Sequence, residues 1–139
     1  MNDFQKKVSE TKRKNIPFRF GKTEFYNFIK RLTNSKYAEV IEVKHIPSKS
    51  GMDEFSIYDK DDKIIIEATS GVSAGVAFNM YLKKCCNVHF GLITDSGILP
   101  KKPPKVGDKI TKKSLYHYRY FLNYCTFGYT FTFYQWKDW

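Results

Sequence analysis

Residues 63–86 read KIIIEATSGVSAGVAFNMYLKKCC. The isoleucine run predicts a strand over 63–68, with Ile64 and Ile66 turned to a core. Thr69 and Ser70 break that run, and Ser70 is placed to cap a helix over 71–85. Val72, Ala74, Val76, Ala77, Phe78, Met80, Tyr81 and Leu82 nearly encircle this helix, which predicts burial on more than one side. Gly71, Ser73, Ala74, Gly75 and Ala77 are small, so its first turns can approach a sheet closely. The run GVSAG lacks the Lys-Ser/Thr of a phosphate-binding loop and the G-x-G-x-x-G spacing. Close packing is therefore the reading of these glycines.

Upstream, residues 55–58 form a partner strand, joined to 63–68 by the turn-prone run Asp59-Lys60-Asp61-Asp62. Residues 37–46 read as another strand, with Ile41 and Val43 on one face and Glu42 and Lys44 on the other. Further back, Thr23 can cap a helix in which Phe25, Phe28, Ile29 and Leu32 recur at helical spacing, ending near Asn34. Residues 1–20 are a basic arm. Downstream of the helix, Asn87 is a stop. Residues 88–92 and 98–99 suggest a short hairpin around Asp95-Ser96-Gly97. Residues 100–114, with adjacent prolines and six lysines, read as an exposed linker. The fold expected for residues 21–99 is α+β: a small, mainly antiparallel sheet with helices on one face.

The last 24 residues, 116–139, are half aromatic and carry charge only at Arg119, Lys137 and Asp138. A strand over roughly 118–126 this apolar needs neighbours on both faces. Residues 1–139 are thus expected to be the front part of something larger, with 115–139 opening a second domain.

The chain carries 24 basic and 14 acidic residues, a net charge of +10. The excess sits in residues 1–31 and 100–114, apart from the aromatic run. Nucleic-acid binding would want basic and aromatic residues on one folded face, so solvated charge is the reading and no nucleic-acid partner is expected. No apolar window is long enough to span a membrane. The first 14 residues lack the apolar segment of a signal peptide.

The three cysteines, Cys85, Cys86 and Cys125, do not show zinc-ligand spacing. They read as small buried thiols, a disulfide through Cys125 being the alternative in an oxidising compartment. His45, His89 and His117 have no Cys or carboxylate at a recognisable spacing. The acids gather only at Asp59, Asp61 and Asp62, a run without the length, glycine and final glutamate of an EF-hand loop. The residues themselves indicate no reaction, metal or cofactor.

The string IEATSGVSAGVAFNMYLKKCCNVHF, followed by a proline-rich linker and YHYRYFLNYCTFGYTFTFYQWKDW, resembles the start of the α-N-acetylglucosaminidase family of glycoside hydrolases. The likeness is carried by Thr69-Ser70-Gly71-Val72, Tyr118-Arg119-Tyr120, Asn123-Tyr124-Cys125-Thr126, and Trp136 with Trp139. Tyr134 and Gln135 depart from it, standing where a Trp and an Asp are expected. The resemblance implies a small N-terminal domain followed by the first strand of a truncated (β/α)₈ catalytic barrel, a fold that needs about 250 residues. It implies a retaining hydrolase with two glutamates beyond Trp139, acting on terminal α-linked N-acetylglucosamine of heparan sulfate or related glycans in a lysosomal or secreted setting. Asn123 and Cys125 would line the sugar pocket, and no residue of this chain would be catalytic. The other expectation is a stand-alone carbohydrate- or protein-binding domain, associating through its aromatic tail.

Overall fold

A computed structural model describes residues 21–49, 51–90 and 95–116. Helix α1, Lys22–Leu32, buries Phe25 and Ile29, the one-turn spacing that a single apolar stripe requires. Gly21 occupies its N-cap without a side-chain hydrogen bond, so Thr23 lies inside the helix and not at its cap. Lys30 and Arg31 fall in its last turn, where the helix dipole favours cations.

Residues 37–46 are not one strand. A short helix α2, Ser35–Val40, takes the first part, and strand β1, Ile41–His45, takes the second. Asn34 explains the switch, because its side chain accepts a hydrogen bond from the Tyr37 N–H at 3.3 Å. That N-cap gives the backbone a helical start before the alternating residues begin. Tyr37 and Ala38 are still buried, from the helix and not from a strand.

Strands β2, Glu54–Lys60, and β3, Lys63–Ala68, form a hairpin. Its two turn residues, Asp61 and Asp62, both have positive φ, 48° and 58°, which matches the twist of a two-residue hairpin. Aspartate tolerates that conformation better than most side chains. Helix α3, Gly71–Cys85, follows. Ser70 caps it in a reciprocal box with Ser73, at 3.1 Å and 2.9 Å. Asn87, at φ 54°, lies just past its C-cap.

Of the expected hairpin after α3, the described residues show a bridge from His89 to Ser96. Residues 91–94 lie outside the described residues. Gly97 has φ 88°, and a Cβ there would run into the backbone of Asn87 and Val88. Glycine is therefore required at this close approach.

Strand β4, Ile110–Lys113, lies within the stretch read as a linker. The sheet order is β1-β3-β2-β4, with β1 and β3 parallel and the other two pairings antiparallel. The sheet is thus mixed, not simply antiparallel. The central position of β3 follows from its sequence. Ile64 and Ile66 enter the main core, while Ile65 on the opposite face is also buried, at 2% exposure. A continuous apolar run suits a strand covered on both sides. Edge strand β4 carries lysines, which discourage further pairing.

The core joins Ile41, Val43, Phe55, Ile57, Ile64 and Ile66 of the sheet to Phe25 and Ile29 of α1 and Ala74, Ala77 and Phe78 of α3. Phe25 and Phe28 meet Phe78 edge-on at ring-centroid distances of 6.3 Å and 5.9 Å, a favoured arrangement for aromatic pairs. Helix α3 does not bury itself on every side. Val72 is 65% and Val76 48% exposed.

Candidate functional site

The carboxylates come first, because glycosidic cleavage needs two of them about the scissile bond. Asp59, expected as part of a solvated turn, sits at the end of β2. Its two carboxylate oxygens accept hydrogen bonds from the backbone N–H groups of Val106 and Gly107, at 3.1 Å and 2.9 Å. Asp53 accepts from the Thr69 hydroxyl at 3.0 Å, and Glu67 from the Tyr58 hydroxyl at 3.0 Å. Glu42 lies 3.7 Å from Lys22 and 3.9 Å from Lys44, and Asp62 lies 3.6 Å from Lys105. These five acids tie one part of the fold to another.

A cavity of ≈740 Å³ among the described residues is bounded by Lys36 and Glu39 of α2, the β2–β3 turn and residues 102–105. Its walls mix lysines with aspartates, and Lys63 donates to the Glu39 carbonyl across it, at 2.6 Å. This is an open, charged recess of the kind that solvent fills.

A buried polar cluster holds the far end of α3. Tyr37 donates to the Pro100 carbonyl at 3.0 Å, and Tyr81 to the Pro104 carbonyl at 2.8 Å. A carbonyl can only accept, so the Tyr37 hydrogen is committed. The 3.8 Å contact of Tyr37 Oη with Cys86 Sγ is then made by the thiol as donor. Burial pushes both phenols far above the usual tyrosine range, and the neighbouring Cys86 adds to the shift. Burial also raises the Cys86 thiol, its contacts with Tyr37 and Tyr81 acting the other way. Cys85 is raised by burial first, then by Cys86. Thiols of raised pKa are poor nucleophiles, and Cys85 and Cys86 are both free. The cluster anchors residues 100–104 to the far end of α3.

Sequence reasoning missed these anchors. The prolines of 100–104 read as linker punctuation, but their carbonyls are acceptors for two buried tyrosines. One signal was present: a tyrosine on an otherwise apolar helix face needs a partner for its hydroxyl. Asn123 and Cys125, expected in a sugar pocket, lie outside the described residues, as does the expected barrel strand around 118–126. Among the described residues, no three His, Cys, Asp or Glu side chains gather closely enough to hold a metal. No helix among them is long and apolar enough to cross a membrane.

The fold is shared with known proteins. A family described as the alpha-N-acetylglucosaminidase (NAGLU) N-terminal domain matches residues 23–105. Human alpha-N-acetylglucosaminidase is 27% identical over 95 residues, covering 68% of this chain and 13% of its own length. A family 89 glycoside hydrolase from Clostridium perfringens, in complex with 2-acetamido-1,2-dideoxynojirmycin, superposes with a TM-score of 0.77 at 26% identity. That match covers 99% of this chain and 16% of the hydrolase. A Clostridium perfringens enzyme with two Glu→Gln substitutions, in complex with its substrate GlcNAc-alpha-1,4-galactose, gives a TM-score of 0.74 at 31% identity. It covers 84% of this chain and 13% of that one. The chain thus spans about one-seventh of the length of these relatives. With the family pattern extending from inside α1 through the segment anchored by Tyr37 and Tyr81, the chain belongs to the α-N-acetylglucosaminidase N-terminal domain family.

Proposed function

We propose that residues 1–139 form the N-terminal portion of an α-N-acetylglucosaminidase, whose acid/base and nucleophile are glutamates beyond residue 139. The observation that carries this reading is the family match over 23–105, set against five described carboxylates that all serve the fold. A retaining hydrolase holds its two carboxyl groups roughly 5 Å apart across the sugar, and this domain supplies neither. Its part is to support the catalytic unit. The reaction is release of terminal α-linked N-acetylglucosamine from heparan sulfate or a related glycan, in a lysosomal or secreted setting. Asn123 and Cys125, on the first strand of a following barrel, would contribute to the sugar pocket, since residues near barrel-strand ends line such sites.

The experiment is an assay with a chromogenic α-N-acetylglucosaminide. The 139-residue chain is compared with a polypeptide extended through a catalytic barrel. Turnover is expected from the extended protein alone. Turnover by the short chain, abolished by Asp53→Asn or Glu67→Gln, overturns the reading. An extended protein that binds glycan without cleaving it favours a non-catalytic binding domain.

A further inference from the structure

Charge is laid unevenly along the described chain. Residues 21–99 hold ten basic and ten acidic side chains, whereas residues 100–113 hold six lysines against Asp108. All six, at 101, 102, 105, 109, 112 and 113, are exposed. Lys105 lies 3.6 Å from Asp62 in a surface pair, and Lys109 stands over the Tyr58 ring at 4.9 Å. Lys101, Lys102, Lys112 and Lys113 form no ion pair among the described residues. Asp59, the acid nearest the middle of this row, is committed to the Val106 and Gly107 N–H groups.

These lysines do not hang from a loose chain. The Pro100 and Pro104 carbonyls are held by Tyr37 and Tyr81, residues 106 and 107 by Asp59, and residues 110–113 by pairing with β2. The backbone beneath the charges is thus fixed along its whole course. A ligand that meets charges already in place loses less ordering entropy than one that must gather them.

The residue types select the partner. Residues 100–113 contain no arginine and no aromatic side chain. Lysine is a compact point charge without the planar fork of arginine, and it meets a sulfate from any side. A nucleic acid base finds no ring here on which to stack. We propose that residues 100–113 form a docking edge for a sulfated polysaccharide, whose sulfate groups lie along the lysine row. This inference rests on the charge pattern and the tethers, and it stands whether or not an extended protein cleaves a glycosidic bond.

The test uses the full 139-residue chain and titrates it calorimetrically with a heparin oligosaccharide, over a range of salt concentrations. Replacing Lys101, Lys102, Lys112 and Lys113 together by Gln should weaken binding about tenfold or more, the sum of several modest surface pairs. The slope of log affinity against log salt should become shallower, since fewer counterions are released. Replacing Lys6, Lys7, Lys12 and Lys14 by Gln removes the same charge from residues 1–20 and should change affinity by less than about threefold. Far-ultraviolet dichroism checks that both sets keep the fold. The pair Lys101→Gln and Lys102→Gln, outside every strand, repeats the test without touching β4. Undetectable binding, equal losses from the two sets, or equal affinity for desulfated heparin overturns the proposal. A single-stranded oligonucleotide of the same charge that binds more tightly than heparin also overturns it, since the partner is then a nucleic acid.

Discussion

Helix α3 and the segment 100–113 are held by different means. α3 is held by area: Ala74, Ala77, Phe78, Tyr81 and Leu82 are all buried, and burying apolar surface contributes roughly 25 cal/mol per Å². The segment 100–113 brings little area. It is held by a few directional bonds, to Tyr37, Tyr81 and Asp59, and by the β2–β4 ladder. Loss of one side chain from the first region leaves a void. A loss in the second releases a tether while the rest stands. Packing thus fixes α3 on the core, and the path of the chain is set by the segment that crosses its end.

The largest expected effect tests the first half of that contrast. Phe78→Ala should cost about 3–5 kcal/mol and Leu82→Ala about 2–5 kcal/mol, read from denaturant midpoints. Met80, only partly buried, should cost less than Leu82. Equal losses at the two positions would misplace the core.

The second prediction uses pH. Tyr37 and Tyr81 have folded pKa values raised above the ordinary 10.0. A raised value means that the folded state holds its proton more tightly. The associated stability is therefore complete below pH 10 and is lost as pH rises beyond it. Each proton released only on unfolding gives a slope of up to about 1.4 kcal/mol per pH unit. Tyr81→Phe should flatten the decline between pH 10 and 11. An unchanged slope in that variant would show that Tyr81 does not drive it.

Third comes the tether. Asp59→Ala removes a charged acceptor from two backbone N–H groups, each such bond contributing about 1.5–3 kcal/mol where shielded and less where exposed. Gly107 is exposed, so a total of about 1–2 kcal/mol is expected. Hydrogen exchange should quicken at Val106 and Gly107 while α3 stays protected. Faster exchange throughout α3 would abolish the distinction between the two regions. The smallest effect belongs to the cap: Ser70→Ala should cost about 1 kcal/mol, measured by the same denaturation.

The same contrast explains what could be read in the sequence. The bounds of β3 and α3 were legible, because apolar periodicity and the Ser70 cap act locally. The turn at Asp61-Asp62 was legible for the same reason. Residues 37–40 were not, since Tyr37, Ala38 and Val40 suit a strand and a short helix equally, and one Asn34 side chain decides. Strand β4 was hidden because its partner is β2, far away in sequence, and its own residues are polar. The parallel pairing of β1 with β3 was hidden too, since pairing depends on strand order and not on composition. For the site, the anchoring roles of Asp53, Asp59 and Glu67 were not legible, since each depends on a partner far away in sequence or on another strand. Asn123 and Cys125 rested on family resemblance and lie outside the described residues.

The β2–β4 pairing sets an order on the birth of the domain. Glu54 meets Lys113, so a chain emerging from the ribosome presents its β2–β3 hairpin and α3 well before β4 exists. Through that interval β2 is an edge, with an unpaired row of backbone donors and acceptors open to any passing strand. Hairpins and helices form from near neighbours quickly, whereas distant pairings close late. A polypeptide cut at residue 99 would hold that vulnerable interval indefinitely, and one carried through Ser114 ends it.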